Sequence, residues 1–376
     1  MVVMLVLCAC SSGSSEPEVE VKKQPTMLDI YVYAPDNPAI TRSDNGSVAA
    51  SDNEKKISSL HIWVFRHSDG TLMGYLNPDV SGLSTTGNAK YQMLVPDEFV
   101  TTKPNVDVYV MANVTADNCG LTVLDKNVIR SQLEGILIGH KDASDYYGLT
   151  TLVTEAPTVG LPMSGVLKNQ PVYGEAPVLR IGTSENIAKL QLVRAVSKMR
   201  FIFSKFTNDT TRVYTLTSIS LKGSTMPKQE YLFLDGVYPT YRYKVGSAYE
   251  PEKPLIQTVD GETIKPCDDP STYAYVSGDG QEYENTINAA VTEEKVSDLG
   301  RFYLRESDKK LTGTINYTVG GGEKTATFSM KTEGDFSRNH TWIVYAYFMN
   351  GNLLNVNVVD VKSWTSSSGS HEVYNW

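Results

Sequence analysis

Leu28, Ile30 and Val32 occupy alternate positions of residues 26–34 (TMLDIYVYA), with Asp29, Tyr31 and Tyr33 between them. A period of two puts one set on each face of an extended chain, which is the mark of a half-buried β-strand. Pro35 stops the segment, because proline cannot donate to a ladder. The same style recurs along the 376 residues, at 57–65 (ISSLHIWVF), 91–95, 106–114 (VDVYVMANV), 178–181, 213–222, 231–234, 301–304, 311–319, 326–330, 341–349 and 352–361. Ser68-Asp69-Gly70, the glycines 320–322 and Asn350-Gly351 mark turns between them, the last a strong hairpin signal because a type I′ turn needs positive φ at both central residues. Many short strands parted by turns read as sandwiches. The 22 tyrosines and recurrent Val, Ile and Thr are strand composition.

Three further stretches stand out. Residues 126–137 (KNVIRSQLEGIL) carry apolar groups at helical spacing and predict a short amphipathic helix. Residues 190–203 (LQLVRAVSKMRFIF) predict one long strand near the middle of the chain, where a domain junction falls. Residues 250–286 are poor in apolar groups and read as a surface excursion. The length suits two or three domains of ordinary size.

The chain opens on an apolar run, residues 1–7, followed by Cys8-Ala9-Cys10 and then a polar run, 11–18. Leu7 at −3, a small residue at −1 and the thiol of Cys10 at +1 make up a lipoprotein signal, which predicts acylation of Cys10 and an outer-membrane attachment through lipid alone. Two acyl chains, at about 0.8 kcal/mol per buried CH₂, give stable anchoring. Residues 1–9 are then the signal and 10–25 a flexible tether. No Lys or Arg precedes Cys10 and the apolar run is short, which points to a start upstream of Met1. The alternative is a buried N-terminal strand with incidental cysteines.

A net charge of −9 without a Lys/Arg cluster argues against nucleic acid as a partner. With Cys8 removed and Cys10 acylated, Cys119 and Cys267 remain, too few and too far apart for a disulfide framework or a zinc site. The five histidines, 61, 67, 140, 340 and 371, fall in no metal frame, and His61 lies inside an expected strand. Gly320 to Thr325 ends in Lys-Thr but lacks the phosphate-loop frame. Ser307 and Lys310 fit S-x-x-K without its companion motifs, and Ser164 and Ser277 lack the glycines of a nucleophile elbow. No catalytic, metal or cofactor site is expected, and the chain does not read as an enzyme.

Residues 36–56 (DNPAITRSDNGSVAASDNEKK) form a long polar stretch with a single arginine, Arg42. Loops of that length are functional or disordered, and exposed tips of small polar residues are preferred sites of proteolysis. At the other end, 365–370 (TSSSGS) resembles a linker and leads into the alternating stub 371–376 (HEVYNW). This stub reads either as an edge strand of its own domain or as a strand that pairs elsewhere.

Taken in order, these pieces resemble the fimbrillins, the type V pilins of Bacteroidetes. The resemblance runs through the lipobox at Cys10, the first strand with Thr41-Arg42 after it, ISSLHIWVF, the segment VYVMAN at 108–113, LPMSG at 161–165, LVRAVSK at 192–198, and Asn339-His340 before WIVYAYF. Ser197-Lys198 stands where Ala-Lys is usual in the family.

The resemblance implies two tandem transthyretin-like Greek-key β-sandwich domains, 26–188 and 189–376. It implies export as an outer-membrane lipoprotein and cleavage after Arg42 by an arginine-specific protease. The first strand, with Leu28, Ile30 and Val32, then leaves, and a neighbouring fimbrial subunit's C-terminal strand takes its place. Donor candidates here are Val373 and Trp376, or residues 354–361.

A row of unpaired backbone groups is a template for another strand, and head-to-tail repetition of such a contact gives a filament. The competing readings are an uncleaved fimbrial anchor and a surface adhesin or glycan-binding lipoprotein. In the latter, Tyr238, Tyr243, Tyr273 and Tyr275 would line a site for a host or bacterial surface ligand.

Overall fold

The computed structural model describes residues 24–35, 51–139, 156–206, 212–227, 229–234, 266–267, 297–329, 336–349, 352–361 and 372–375. In chain order the first elements are β1 (Met27–Tyr33), α1 (Asp52–Lys55), β2 (Leu60–Arg66), β3 (Leu72–Leu76), α2 (Ser81–Thr86), β4 (Asn88–Leu94), α3 (Asp97–Thr102), β5 (Val106–Ala112), α4 (Ala116–Cys119), α5 (Arg130–Glu134) and β6 (Leu137–Gly139). Then come β7 (Met163–Gln170), β8 (Val172–Glu175), β9 (Val178–Ile181), β10 (Lys189–Gln191), β11 (Val193–Arg194), β12 (Ser197–Phe206), β13 (Tyr214–Leu221) and β14 (Gln229–Tyr231). The chain closes with β15 (Pro266–Cys267), β16 (Ser297–Leu304), β17 (Thr312–Val319), β18 (Gly322–Ser329), β19 (Thr341–Met349), β20 (Asn352–Val361) and β21 (Glu372–Asn375). The fold is all-β, with a few short helices on its connections.

The first sheet runs β10-β1-β9-β8, with β4 also paired to β1. The second runs β11-β7-β5-β2-β3. Their facing side chains form one apolar core: Leu28, Ile30 and Val32 from β1 meet Leu60, Ile62 and Val64 from β2 and Val108 and Val110 from β5. Trp63, Phe65, Tyr109 and Met111 point away from that core into another cluster, with Leu133, Ile138, Leu232 and Phe233. The second sheet is therefore covered on both faces, and that is why β5 is buried at all seven positions.

A third sheet runs β15-β12-β19-β20-β21 with β16 also on β12, and a fourth runs β13-β17-β18. Met199, Phe201, Phe203, Trp342, Val344 and Phe348 of the third pack on Tyr214, Leu216, Ile219, Ile315, Tyr317 and Phe328 of the fourth. The pair β6–β14 joins the two halves of the chain, with Leu137 opposite Tyr231.

Two expectations are corrected. Residues 190–203 are not one strand. Leu192 N–H donates to Tyr33 at 2.9 Å, Ala195 N–H to Pro162 at 2.9 Å, and Asn339 N–H donates to Val196 at 2.7 Å, so successive residues serve the first, second and third sheets in turn. A run buried on all sides has no period with which to announce such breaks. The helix expected over 126–137 is confined to Arg130–Glu134. Beyond Gly135 the chain turns extended, as Ile136 and Ile138 enter the core and β6 pairs β14.

The strands expected at 178–181, 341–349 and 352–361 are β9, β19 and β20. The β19–β20 hairpin pairs Met349 with Asn352. The β17–β18 turn has positive φ at both Gly320 and Gly321.

Candidate functional site

β1 is bonded along both edges. On one side all seven residues pair antiparallel with β4, from Met27↔Leu94 to Tyr33↔Asn88. On the other, Met27, Leu28 and Asp29 pair parallel with β9, and Tyr31, Val32 and Tyr33 with β10. The flanks continue the pattern. Met27 N–H donates to the Pro177 carbonyl at 2.9 Å, Ala34 N–H to Gly87 at 2.8 Å, and Gln191 Nε2 to the Ala34 carbonyl at 2.6 Å.

Leu28, Ile30 and Val32 are buried at 0 %, 1 % and 0 % exposure. Burying each contributes about 1.5–3 kcal/mol, so the three together rival the whole stability of an ordinary domain, about 5–15 kcal/mol. A sheet that loses β1 is left with two unpaired strand edges over an apolar floor. A strand with alternate apolar side chains suits such a groove.

The opposite face of β1 is polar. Asp29 is buried, and its Oδ1 accepts from Gln92 Nε2 at 2.9 Å. Lys90 Nζ lies 3.6 Å and Arg180 Nε 3.9 Å from its Oδ2. Lys189 Nζ sits 5.6 Å from the centre of the Tyr33 ring, a cation–π distance.

Where the described chain resumes, at Ser51, it is tied down at once. Ser51 caps α1 in a capping box: Glu54 N–H donates to Ser51 Oγ at 3.4 Å and Ser51 N–H donates to the Glu54 carboxylate. The same carboxylate, fully buried, lies 3.2 Å from Lys198 Nζ and accepts from the Tyr303 hydroxyl. Arg194 Nε donates to the Glu54 carbonyl at 2.9 Å, and its Nη1 to Asn339 Oδ1 at 3.3 Å.

Burial alone pushes the Glu54 carboxyl up. Lys198, the Tyr303 hydroxyl and the Ser51 N–H outweigh it and hold it below the usual carboxylate range. Asn113 secures the next residues: its Nδ2 donates to Lys56 at 2.8 Å and to Leu161 at 2.9 Å, and its Oδ1 accepts from Ser58 N–H at 2.8 Å. Gly160 passes so close that a Cβ there would sit 2.1 Å from the Lys56 carbonyl oxygen, and its φ is +94°. The segment between β1 and α1 is thus held at each end by a different set of partners. The contacts of residues 51–58 are made without β1.

A second buried polar cluster lies beside the β6–β14 joint. Arg338 Nη2 bonds Glu306 Oε1 at 2.5 Å and the Tyr231 carbonyl at 2.7 Å, and lies 3.6 Å from Glu230 Oε2. Glu306 N–H donates to Glu230 Oε2 at 3.2 Å, and Arg305 Nη1 donates to the Pro227 carbonyl at 3.0 Å. Burial, reinforced by the nearby Glu306, pushes the Glu230 carboxyl up to about 8 against the pull of Arg338.

Of the residues the sequence nominates, Leu28, Ile30 and Val32 stand together in this groove. Cys10, Arg42 and Trp376 lie outside the described residues, as do Tyr238, Tyr243, Tyr273 and Tyr275. Val373 lies in β21, which pairs antiparallel with β20 of the same chain, Val373 opposite Val359, in the sheet of β12 and β19.

His61 stacks on Trp63 and bonds the Tyr75 hydroxyl through Nδ1 at 2.8 Å. Ser164 Oγ donates to the Leu232 carbonyl, Ser307 Oγ to that of Thr225, and the buried Cys119 Sγ to that of Ala116 at 3.3 Å. Among the described residues no group of three or more His, Cys, Asp or Glu could hold a metal ion, and no helix is long and apolar enough to cross a membrane. The Glu54 and Glu230 clusters were not foreseen. Only the S-x-x-E spacing of Ser51 and Glu54 offered a local signal for either.

Residues 29–186, from inside β1 to just before β10, match a family described as the major fimbrial subunit protein (FimA). No curated protein matches. Among solved structures, a candidate cell adhesion protein from Parabacteroides distasonis is 16 % identical, with 92 % of this chain and 99 % of that one covered and a TM-score of 0.53. The C-terminally truncated tip fimbrial protein Mfa3 from Porphyromonas gingivalis is 13 % identical over 94 % and 100 % of the two chains, with a TM-score of 0.49. A fimbrial assembly protein from Parabacteroides distasonis is 12 % identical over 94 % and 100 %, with a TM-score of 0.45.

Proposed function

For a chain whose residues 29–186 match the major fimbrial subunit family, we propose the role of a structural subunit of a Bacteroidetes fimbrium that polymerises by strand exchange and supports adhesion. It is exported as an outer-membrane lipoprotein acylated at Cys10 and cut after Arg42 by an arginine-specific protease. Residues 26–188 and 189–376 act as tandem sandwiches, the first of which gives up β1. The vacated groove then takes a strand from a neighbouring subunit, and the chain's own C-terminal residues, with Val373 and Trp376, enter the next subunit in line. The family match supports a surface or pilus location and a structural role.

The observation that carries this reading is the position of β1. It is the first described strand, it is bonded on both edges, and its three aliphatic side chains are sealed in the core. The polar stretch that holds Arg42 comes directly after it, and the chain is re-anchored independently at Ser51 and Glu54.

The test is the mass and N-terminal sequence of the protein recovered from cells. A start at Ser43, in material that runs as a ladder of multimers, supports the subunit. A retained acylated Cys10 in a monomer refutes it. A second reading, an uncleaved anchor, is favoured by the pairing of β21 on β20, which keeps the terminal strand at home.

A further inference from the structure

The polar face of β1 carries information that its apolar face does not. Asp29 stands directly opposite Gln92 on β4 and Arg180 on β9, and Lys90 is opposite Tyr31, two residues along. Directly opposed and diagonal neighbours on a sheet are the pairs whose side chains meet. Their three polar groups converge on the Asp29 carboxylate, at 2.9 Å from Gln92, 3.9 Å from Arg180 and 3.6 Å from Lys90. All three belong to strands that remain when β1 leaves. The bare groove therefore keeps two cations and an amide donor around one point of its polar side, between the places of Leu28 and Ile30.

Resting on the exchange reading above, we propose that this groove selects its replacement strand by charge as well as by apolar fit. The strand it accepts has the form aliphatic–acidic–aliphatic–x–aliphatic, the carboxylate taking the place of Asp29 and the aliphatic groups those of Leu28, Ile30 and Val32. A neutral amide there keeps a partner for Gln92 but leaves the two cations without a counter-charge. A lysine adds a third cation to a buried position, and like charges brought together at an interface are strongly unfavourable.

The same rule bears on which subunit supplies the strand. Glu372-Val373-Tyr374 repeats the order of Asp29-Ile30-Tyr31, but that register lays His371 and Asn375 over the places of Leu28 and Val32. Those two places are fully buried and apolar, and a polar group sealed there without a partner is costly. The occupant is accordingly a strand of a different subunit rather than the tail of a second copy.

The experiment uses the full chain with a specific protease site inserted between Arg42 and Ser43. The nicked protein is unfolded and then refolded with an excess of labelled peptides, and uptake is read by native mass spectrometry. The peptides carry residues 26–34, the same with Asp29→Asn, the same with Asp29→Lys, and residues 371–376. We expect the unaltered 26–34 peptide to be taken up best, the Lys variant to fall by about 10–100-fold, the Asn variant to lie between, and the tail to be taken up poorly. A Lys90→Glu, Arg180→Glu chain should reverse the order and prefer the Lys peptide.

Equal uptake of the three 26–34 peptides overturns selection by charge while leaving exchange standing. Tail uptake equal to that of the unaltered peptide overturns the choice of a different subunit. Failure of even the unaltered peptide to enter sinks the exchange reading itself.

Discussion

The Tyr303 hydroxyl donates to the carboxylate of Glu54, 249 residues earlier in the chain. Lys198, at the start of β12, completes the contact from a third place in the sequence. The residue that re-anchors the chain after its long polar stretch is thereby clamped against strands of the third sheet. Under the proposed cleavage, this clamp would keep β2 and the strands beyond it in place.

Replacing Glu54 by Gln leaves the Lys198 charge buried without its carboxylate. Removing one member of a buried pair costs about 3–5 kcal/mol. Tyr303→Phe removes a hydrogen bond to a charged acceptor and should cost about 1–2 kcal/mol. Urea titration of both variants checks the order. Because the folded Glu54 is held below its unfolded value near 4.5, its contribution is present above that value and is lost as pH falls through the folded pKa. The Glu54→Gln chain should therefore lose stability less steeply than the native chain below pH 4.5.

Glu230 works in the opposite sense. Its folded pKa is raised, so the folded chain binds more protons than the unfolded one between about 4.5 and about 8. Stability falls as pH rises through that window. Glu230→Gln mimics the protonated form, keeps the volume, and removes the penalty. The variant should match the native chain at pH 5 and exceed its Tm at pH 8.5. A native chain whose Tm rises steadily from pH 5 to pH 8.5 contradicts this assignment.

Those two carboxylates also mark the limit of what is legible in the residues alone. The faces of β1, the hairpins at Gly320 and at residues 349–352, and the strand at 178–181 come from local periodicity and turn chemistry. Each depends on neighbours within a few positions. Glu54 finds Lys198 144 residues away, and Asn113 joins Lys56 to Leu161. Such pairings leave no period. The stretch 190–203 fails for another reason: Leu190, Leu192, Val193, Ala195 and Val196 are all buried, and near-uniform burial hides the two changes of sheet.

Ile30 offers a test of the proposed exchange. Ile30→Ala in the uncut chain opens a cavity in the first core and should cost about 2–5 kcal/mol. If β1 leaves on cleavage and assembly, as proposed, the same substitution should leave the stability of the polymer unchanged. Met93→Ala, on the neighbouring β4 and in the same core, is the control, since β4 stays in place. It should weaken both forms. Equal loss from Ile30→Ala before and after cleavage would mean that β1 never leaves.

The terminal strand gives the last prediction. β21 is four residues long and pairs with β20 along one edge only, from Asn357↔Asn375 to Asp360↔Glu372. A short edge strand adds little to its sheet, so deleting residues 372–376 should shift the Tm of the uncut chain by no more than a few degrees, about 1 kcal/mol in a domain of this size. If this tail enters a neighbour, the same deletion abolishes multimers of the cut protein while its sandwiches stay folded. β20 is the other candidate. It is bonded on both edges, with Val358 opposite Val344 on one side and Tyr374 on the other, so releasing it would strip β19 of one partner and β21 of its sheet. Ladders that survive the deletion therefore point to a strand from elsewhere, and native gels of the cut protein with and without residues 372–376 decide between the two.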